Sequence, residues 1–150
     1  MKVILQKVKK ASVSVDGKIV GEIDKGYCLL VGVHKESTEA DAKYLAKKIV
    51  EARLFEDENE KLNLGLKDVN GSILSVSQFT LYADTKKGKR PSFTNAASAE
   101  EANELYNKFN EYLREEEIKV ETGIFQTMME VNIINDGPVT IIYEKLSLGN

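Results

Sequence analysis

A chain of 150 residues, 42% hydrophobic and 30% charged, is long enough to close a real core, so one domain spanning 1–150 is expected without disulfide or metal staples. The net charge of −3 excludes a globally basic nucleic-acid binder, and any nucleic-acid contact must come from a local patch. A single cysteine, Cys28, rules out an internal disulfide framework; no apolar run reaches the roughly 18 residues of a membrane span, and the apolar core of "MKVILQKVKK" is too short for a signal peptide, so a reducing cytoplasm is the expected compartment.

The stretch "ILQKVKKASVSVDGKIVGEI" alternates apolar and polar residues around Asp16-Gly17, a dipeptide that accepts the positive φ of a two-residue hairpin turn, and it predicts two paired strands. Lys25-Gly26 introduces "YCLLVGV", whose continuous apolar run suits a strand buried on both faces, with Cys28 as a small buried thiol. From Ser37 the period changes. Thr38 and Asp41 are spaced as a capping box, and Ala42, Leu45, Ala46 and Ile49 recur at helical spacing, predicting an amphipathic helix to about Phe55. "EDENEKLNLGLKDVNGS" is polar and loop-like as far as the turn signal Asn70-Gly71, after which "ILSVSQFTLYA" reads as another core strand. A second helix is predicted from Ser98, with Glu101 completing a capping box and Ala102, Leu105, Tyr106, Phe109 and Leu113 as its apolar stripe. "IKVETG", "FQTMMEVNII" and "PVTIIYEKL" then read as three strands. The order βββ-α-β-α-βββ is not that of a doubly wound sheet. It predicts an α/β fold with a mixed, largely antiparallel, strongly curved and barrel-like sheet and two helices packed outside. That many strands also invite partial closure or pairing with a second subunit.

The usual catalytic groups are scarce. His34 is the only histidine, and a triad would need a carboxylate and a nucleophile gathered around it. One His and one Cys make no zinc-type cluster, and "EDENE" lacks the spacing and glycine of a calcium loop, so no metal is expected. "KKGKR" has one glycine and forms no phosphate loop, which leaves no nucleotide cofactor expected. What remains is a run of hydroxyls, an amide and backbone in "SVSQFTLYADTKKGKRPSF". On a strand, Ser77, Phe79 and Leu81 face one side and Gln78, Thr80 and Tyr82 the other, so that Gln78 and Thr80 either are satisfied buried polar groups or line a polar pocket. Lys86, Lys87, Lys89 and Arg90 crowd around Gly88, as a solvated turn or as a grip on phosphates. In "NDGPVT", Gly137-Pro138 abuts a β-branched run, either as a tight turn or as backbone used as a tool.

"SQFTLYAD" at Ser77 to Asp84, "KGKRPSF" at Lys87 to Phe93 and "NDGPVT" at Asn135 to Thr140 resemble the signature segments of the D-aminoacyl-tRNA deacylases, also called D-tyrosyl-tRNA deacylases. The opening "MKVILQKVKKASVSVDG", the "GYCLLVGV" run, "STEADAKYLAKKI" and "MMEVNIINDGPVT" follow that family in order and spacing, so the resemblance covers essentially the whole chain. One departure is visible: Gln126-Thr127 stands where the family often has Gly-Ala. The resemblance implies a deacylase-like barrel fold and a cytoplasmic homodimer with active sites at the subunit interface. It implies a trans-editing esterase, without cofactor, that hydrolyses D-aminoacyl-tRNA to free tRNA and D-amino acid. Gly137-Pro138 would be held cis and reach into the neighbour's pocket, where rigid backbone excludes an L side chain. Glycine has no side chain to exclude, which makes glycyl-tRNA an expected secondary substrate. Catalysis would lean on the 2′-hydroxyl of the tRNA, with Ser77 and Gln78 positioning the ester and terminal adenosine and the N–H groups around Phe79 and Thr80 facing the oxyanion. Thr80 would be either a covalent nucleophile or only a pocket group. Lys86, Lys87, Lys89 and Arg90 would meet the acceptor-stem backbone. The expected partners are aminoacylated tRNA and a second copy of the chain, with neither DNA nor membrane. The rivals are a non-catalytic dimeric binder of tRNA acceptor ends, and a structural or small-ligand dimer in which Gly-Pro is merely a turn.

Overall fold

The structure, a computed structural model, describes residues 1–147; the end of the expected 1–150 domain, residues 148–150, lies outside the described residues. Strands β1 (Lys2–Val15) and β2 (Lys18–Ile23) form the expected hairpin, with Asp16 and Gly17 at φ 50° and 80°. Strand β3 (Gly26–Gly32) returns beside the first half of β1, so one edge of β1 meets β3 over Lys2 to Val8 and β2 over Ala11 to Val15. Helix α1 (Glu39–Glu51) starts with the full Thr38/Asp41 capping box. It ends earlier than the periodicity predicts, because Ala52 turns to extended backbone and Phe55 belongs to a short strand.

That strand, β4 (Phe55–Glu56), pairs with β5 (Leu62–Leu64), so the segment expected to be a loop carries a small hairpin. Its anchor is not periodicity but Phe55, buried and stacked on Tyr27 at 5.3 Å. Strand β6 (Ser72–Ser77) runs parallel to β3, and β7 (Val120–Thr122) parallel to β6. Between them lies α2 (Ala99–Glu115), where the Ser98 hydroxyl accepts from the Glu101 N–H at 3.3 Å; this is half of the expected capping box, for the Glu101 side chain does not return a bond to the Ser98 N–H. Strand β8 (Glu130–Glu144) lies antiparallel along the free edge of β1. The mixed sheet and the two helices are as expected from the residues.

Two cores result from the curvature. Val3 and Leu5 of β1, Tyr27, Leu29 and Val31 of β3, and Ile73 of β6 pack under Leu45 and Ile49 of α1 and Phe109 and Leu113 of α2. On the other face, Val8, Ala11, Val13, Ile23, Cys28, Leu74 and Val76 meet inside the curled sheet. No helix among the described residues is long and apolar enough to cross a membrane.

Two departures from the expected elements shape the candidate site. "ILSVSQFTLYA" is not one strand: β6 stops at Ser77 and Phe79–Tyr82 wind into a 3-10 helix. The parallel register with β3 ends at Val31 opposite Ser77, and the chain folds back over Gly32. A Cβ on Gly32 would sit 2.9 Å from the Leu81 Cβ and 3.2 Å from the Gln78 carbonyl oxygen, so the turn needs glycine there. The second departure is at the end of the chain, where the three predicted strands are two. "FQTM" is a turn, and β8 continues through Gly137-Pro138 rather than starting after it. It does so by a bulge: Gln6 pairs with Thr140 and Val8 with Asn135, which leaves Asp136, Gly137, Pro138 and Val139 opposite Lys7 alone.

Candidate active site

The 3-10 helix gathers the residues that a strand would have separated. The Gln78 N–H donates to the Val31 carbonyl at 2.8 Å, the Leu81 N–H to the Gln78 carbonyl at 3.3 Å, and the Ala83 N–H to the Thr80 carbonyl at 3.1 Å. The N–H groups of Phe79 and Thr80 come before the first of these helical bonds and have no acceptor within the helix. Gln78 and Thr80 are neighbours as expected, with the Gln78 amide donating to the Thr80 hydroxyl. Ser77 and Phe79, expected on the opposite face, open onto the same cavity as Gln78 and Thr80. The reason is the winding of the helix, which replaces a two-residue period by a turn of about three residues.

That cavity measures about 760 Å³. Ser77 to Thr80 form its polar wall, Val31, Val33, Val76 and Val131 its floor, and Ala97, Ala99 and Ala102 a wall of small side chains where α2 begins. The turn Phe125 to Met129 closes the remaining side. Phe79 is 56% exposed at the mouth, edge-on to Phe93 with ring centroids 5.0 Å apart. No described residue lining the cavity carries a titratable group. His34 lies elsewhere, lining two smaller cavities of about 280 and 360 Å³, and its Nδ1 accepts from the Glu36 N–H at 2.9 Å in the approach to α1. Burial first, then the N-terminal ammonium and Lys35, lower its pKa. Burial likewise pushes the Cys28 thiol up to about 12, which removes its nucleophilic form at neutral pH.

Two supports of the site were not legible as such. Tyr106, counted in the sequence only as part of an apolar stripe, donates its hydroxyl to the Ser75 carbonyl at 2.7 Å and packs its ring 6.3 Å from Phe125. It ties the strand carrying Ser77 to the turn across the cavity. The available signal was chemical: a buried tyrosine must find a partner for its hydroxyl. Asn135 is the other. Its Nδ2 donates to the Thr140 hydroxyl at 3.0 Å, and its Oδ1 accepts from the Val139 N–H at 3.2 Å, clipping the base of the bulge.

Gly137-Pro138 is cis, exposed, and absent from the lining of this chain's own cavity. Gly137 sits at φ 124°, and a Cβ there would meet Val139 Cγ2 at 2.9 Å, so the bulge requires glycine. The basic residues do not join the Ser77 cavity. Lys86, Lys87, Lys89 and Arg90 are exposed on a turn closed by paired Asp84 and Ser92, and of the four only Lys86 lines one of the three cavities, that of about 360 Å³ beside Tyr82.

A curled mixed sheet with two outer helices, and a polar turn opening a cavity whose described walls carry no titratable group, defines a class of fold and site that comparison with known proteins identifies. The profile of the D-Tyr-tRNA(Tyr) deacylase family matches residues 4–144. The D-aminoacyl-tRNA deacylase of Staphylococcus haemolyticus is 62% identical over 144 residues, 96% of this chain and 95% of that one. That of Exiguobacterium sibiricum is 57% identical over 145 residues, covering 97% and 100%. Among solved structures, one titled c-Myc DNA unwinding element binding protein aligns with a TM-score of 0.91 at 40% identity, over 98% of this chain and 100% of that one. Another, titled as a probable eukaryotic D-amino acid tRNA deacylase, aligns with a TM-score of 0.80 over 95% and 97% of the two chains; at 17% identity it speaks for the fold alone. The chain belongs to the D-Tyr-tRNA(Tyr) deacylase family. It is accordingly an enzyme, a hydrolase of ester bonds.

Proposed function

We propose that the protein is a cytoplasmic trans-editing enzyme that hydrolyses the ester of D-aminoacyl-tRNA, releasing free tRNA and the D-amino acid, and works as a homodimer. The observation that carries this reading is the convergence of Ser77, Gln78, Phe79 and Thr80 on one cavity large enough for an aminoacylated nucleoside. Ser77 and Gln78 position the ester and terminal adenosine. The N–H groups of Phe79 and Thr80, free of helical partners, face the oxyanion that forms as water adds to the carbonyl carbon. Water's proton passes through the neighbouring 2′-hydroxyl, the ester C–O bond breaks, and the ribose oxygen leaves protonated. This route suits a cavity whose described walls hold no titratable group. Thr80 is a pocket group rather than a nucleophile: its hydroxyl accepts from the Gln78 amide, and an amide is no base.

Chirality is read by Gly137-Pro138 of a second copy. In support, these two residues stand exposed on a bulge of an edge strand and outside their own chain's cavity. A selector of backbone excludes an L side chain, ignores the identity of a D side chain, and admits glycine, so glycyl-tRNA is a secondary substrate. The exposed cations Lys86, Lys87, Lys89 and Arg90 meet the acceptor-stem phosphates.

The test is release of amino acid from D-tyrosyl-, L-tyrosyl- and glycyl-tRNA by purified protein. Hydrolysis of the D and glycyl esters with the L ester intact is expected. Binding of all three without release would replace the enzyme by a non-catalytic holder of tRNA ends.

A further inference from the structure

We propose that Gln126 reads the base of the substrate's terminal adenosine and is thereby a specificity-determining residue of the cavity, an assignment that rests on the deacylase reading above. The cavity has two unlike sides. Ser77 to Thr80 supply the groups for ester chemistry, while Ala97, Ala99, Ala102 and Phe125 line it with small side chains and one aromatic ring, walls suited to a flat purine. Unstacked bases are held in this way, by an aromatic face and by hydrogen bonds along a base edge. On this cavity the turn presents Gln126 and Thr127, adjacent to Phe125.

Gln126 is exposed and held at φ 60°, in the left-handed region where glycine would be relaxed and a longer side chain is disfavoured. The chain thus carries a carboxamide at the cavity against the preference of its own backbone. The turn is closed independently of that carboxamide, since the Thr127 hydroxyl donates to the Ile124 carbonyl at 2.8 Å. A glutamine amide offers one donor and one acceptor side by side, the complement of the 6-amino group and adjacent ring nitrogen of adenine. Purines without that amino group cannot complete the pair.

The experiment compares two minimal substrates, adenosine and purine riboside each carrying a 3′-D-tyrosyl ester, with wild-type protein and with Gln126→Gly, which removes the carboxamide and suits the backbone. The wild type should show a KM about 10-fold higher for the purine riboside ester, with kcat little changed. In Gln126→Gly the adenosine ester should lose that advantage, and the ratio of the two KM values should fall to about 1. Gln126→Leu, which keeps the bulk, should behave as Gln126→Gly does. A ratio that is the same in wild type and both variants overturns the assignment while leaving the deacylase reading intact. If the wild type hydrolyses neither ester, the deacylase reading fails and the assignment falls with it.

Discussion

At the scale of single residues, catalysis is assigned to groups that hold rather than groups that titrate. The Gln78 amide fixes the Thr80 hydroxyl, and both residues lie on the turn that leaves the Phe79 and Thr80 N–H groups without a helical acceptor and lines the cavity. Replacing Gln78 by Ala removes this hold without disturbing either core, since Gln78 belongs to neither cluster. Gln78→Ala should therefore lower kcat/KM for D-tyrosyl-tRNA by about 100-fold, and its thermal midpoint should stay within a degree or two of wild type. Single-turnover hydrolysis beside a thermal melt measures both. An unchanged kcat/KM would move the positioning role to Ser77 and the backbone.

Elements hold these residues in place through their ends and their irregularities. The Asp41 carboxylate accepts from the Thr38 N–H at 3.0 Å and from the Ser147 hydroxyl at 2.6 Å, joining the start of α1 to the segment after β8. Burial alone would raise its pKa, but the bonds from Ser147 and Thr38 and the N-terminal ammonium outweigh it and hold the carboxyl below its ordinary value of 3.8. A depressed carboxyl pKa gives stability that is present above the unfolded value and is lost as pH falls through the folded one. Asp41→Asn should cost about 1 kcal/mol at neutral pH, and its stability should fall less than that of wild type below pH 4. Urea unfolding across the acid range checks the difference. The same elements show what the sequence makes legible. The β1–β2 hairpin, β3 and both helix starts follow from local chemistry: Asp-Gly, a continuous apolar run, and Ser/Thr caps. The 3-10 helix was hidden because "SQFTLYA" alternates like a strand, while its cause is the end of β3 and the missing side chain of Gly32, which are tertiary facts. The continuity of β8 was hidden because Pro138 lacks a donor; the bulge and the Asn135 clip resolve that through pairing with a strand more than 120 residues earlier in the chain. The candidate residues themselves, and Gln126-Thr127 as a departure on the pocket wall, are legible by resemblance, whereas the rest of the 125–129 wall and the Tyr106 tie become visible only once α2 and the final turn meet across the cavity.

For the molecule as a whole, the proposed function would have tRNA meet a local patch of positive charge rather than the total. Four exposed cations on one turn offset the net −3 locally. Replacing Lys87 and Lys89 together by Gln should weaken binding of deacylated tRNA and flatten the slope of log K against log salt by about 1.5; an unaltered slope would return the turn to solvent. The larger claim is that one copy holds the chemistry and the other the selection. Pro138→Ala homodimers should hydrolyse L-tyrosyl-tRNA that the wild type rejects. The most direct measurement is that leak after subunit exchange with an excess of Gln78→Ala protein, whose own cavity is disabled but whose Gly137-Pro138 is intact. If selection comes from the partner, the Pro138→Ala cavities acquire an intact selector in the mixed dimers, and L-ester hydrolysis falls towards zero while D-ester hydrolysis persists. A leak that survives complete exchange at its original rate would contradict the account and place the selector within the chain that does the chemistry.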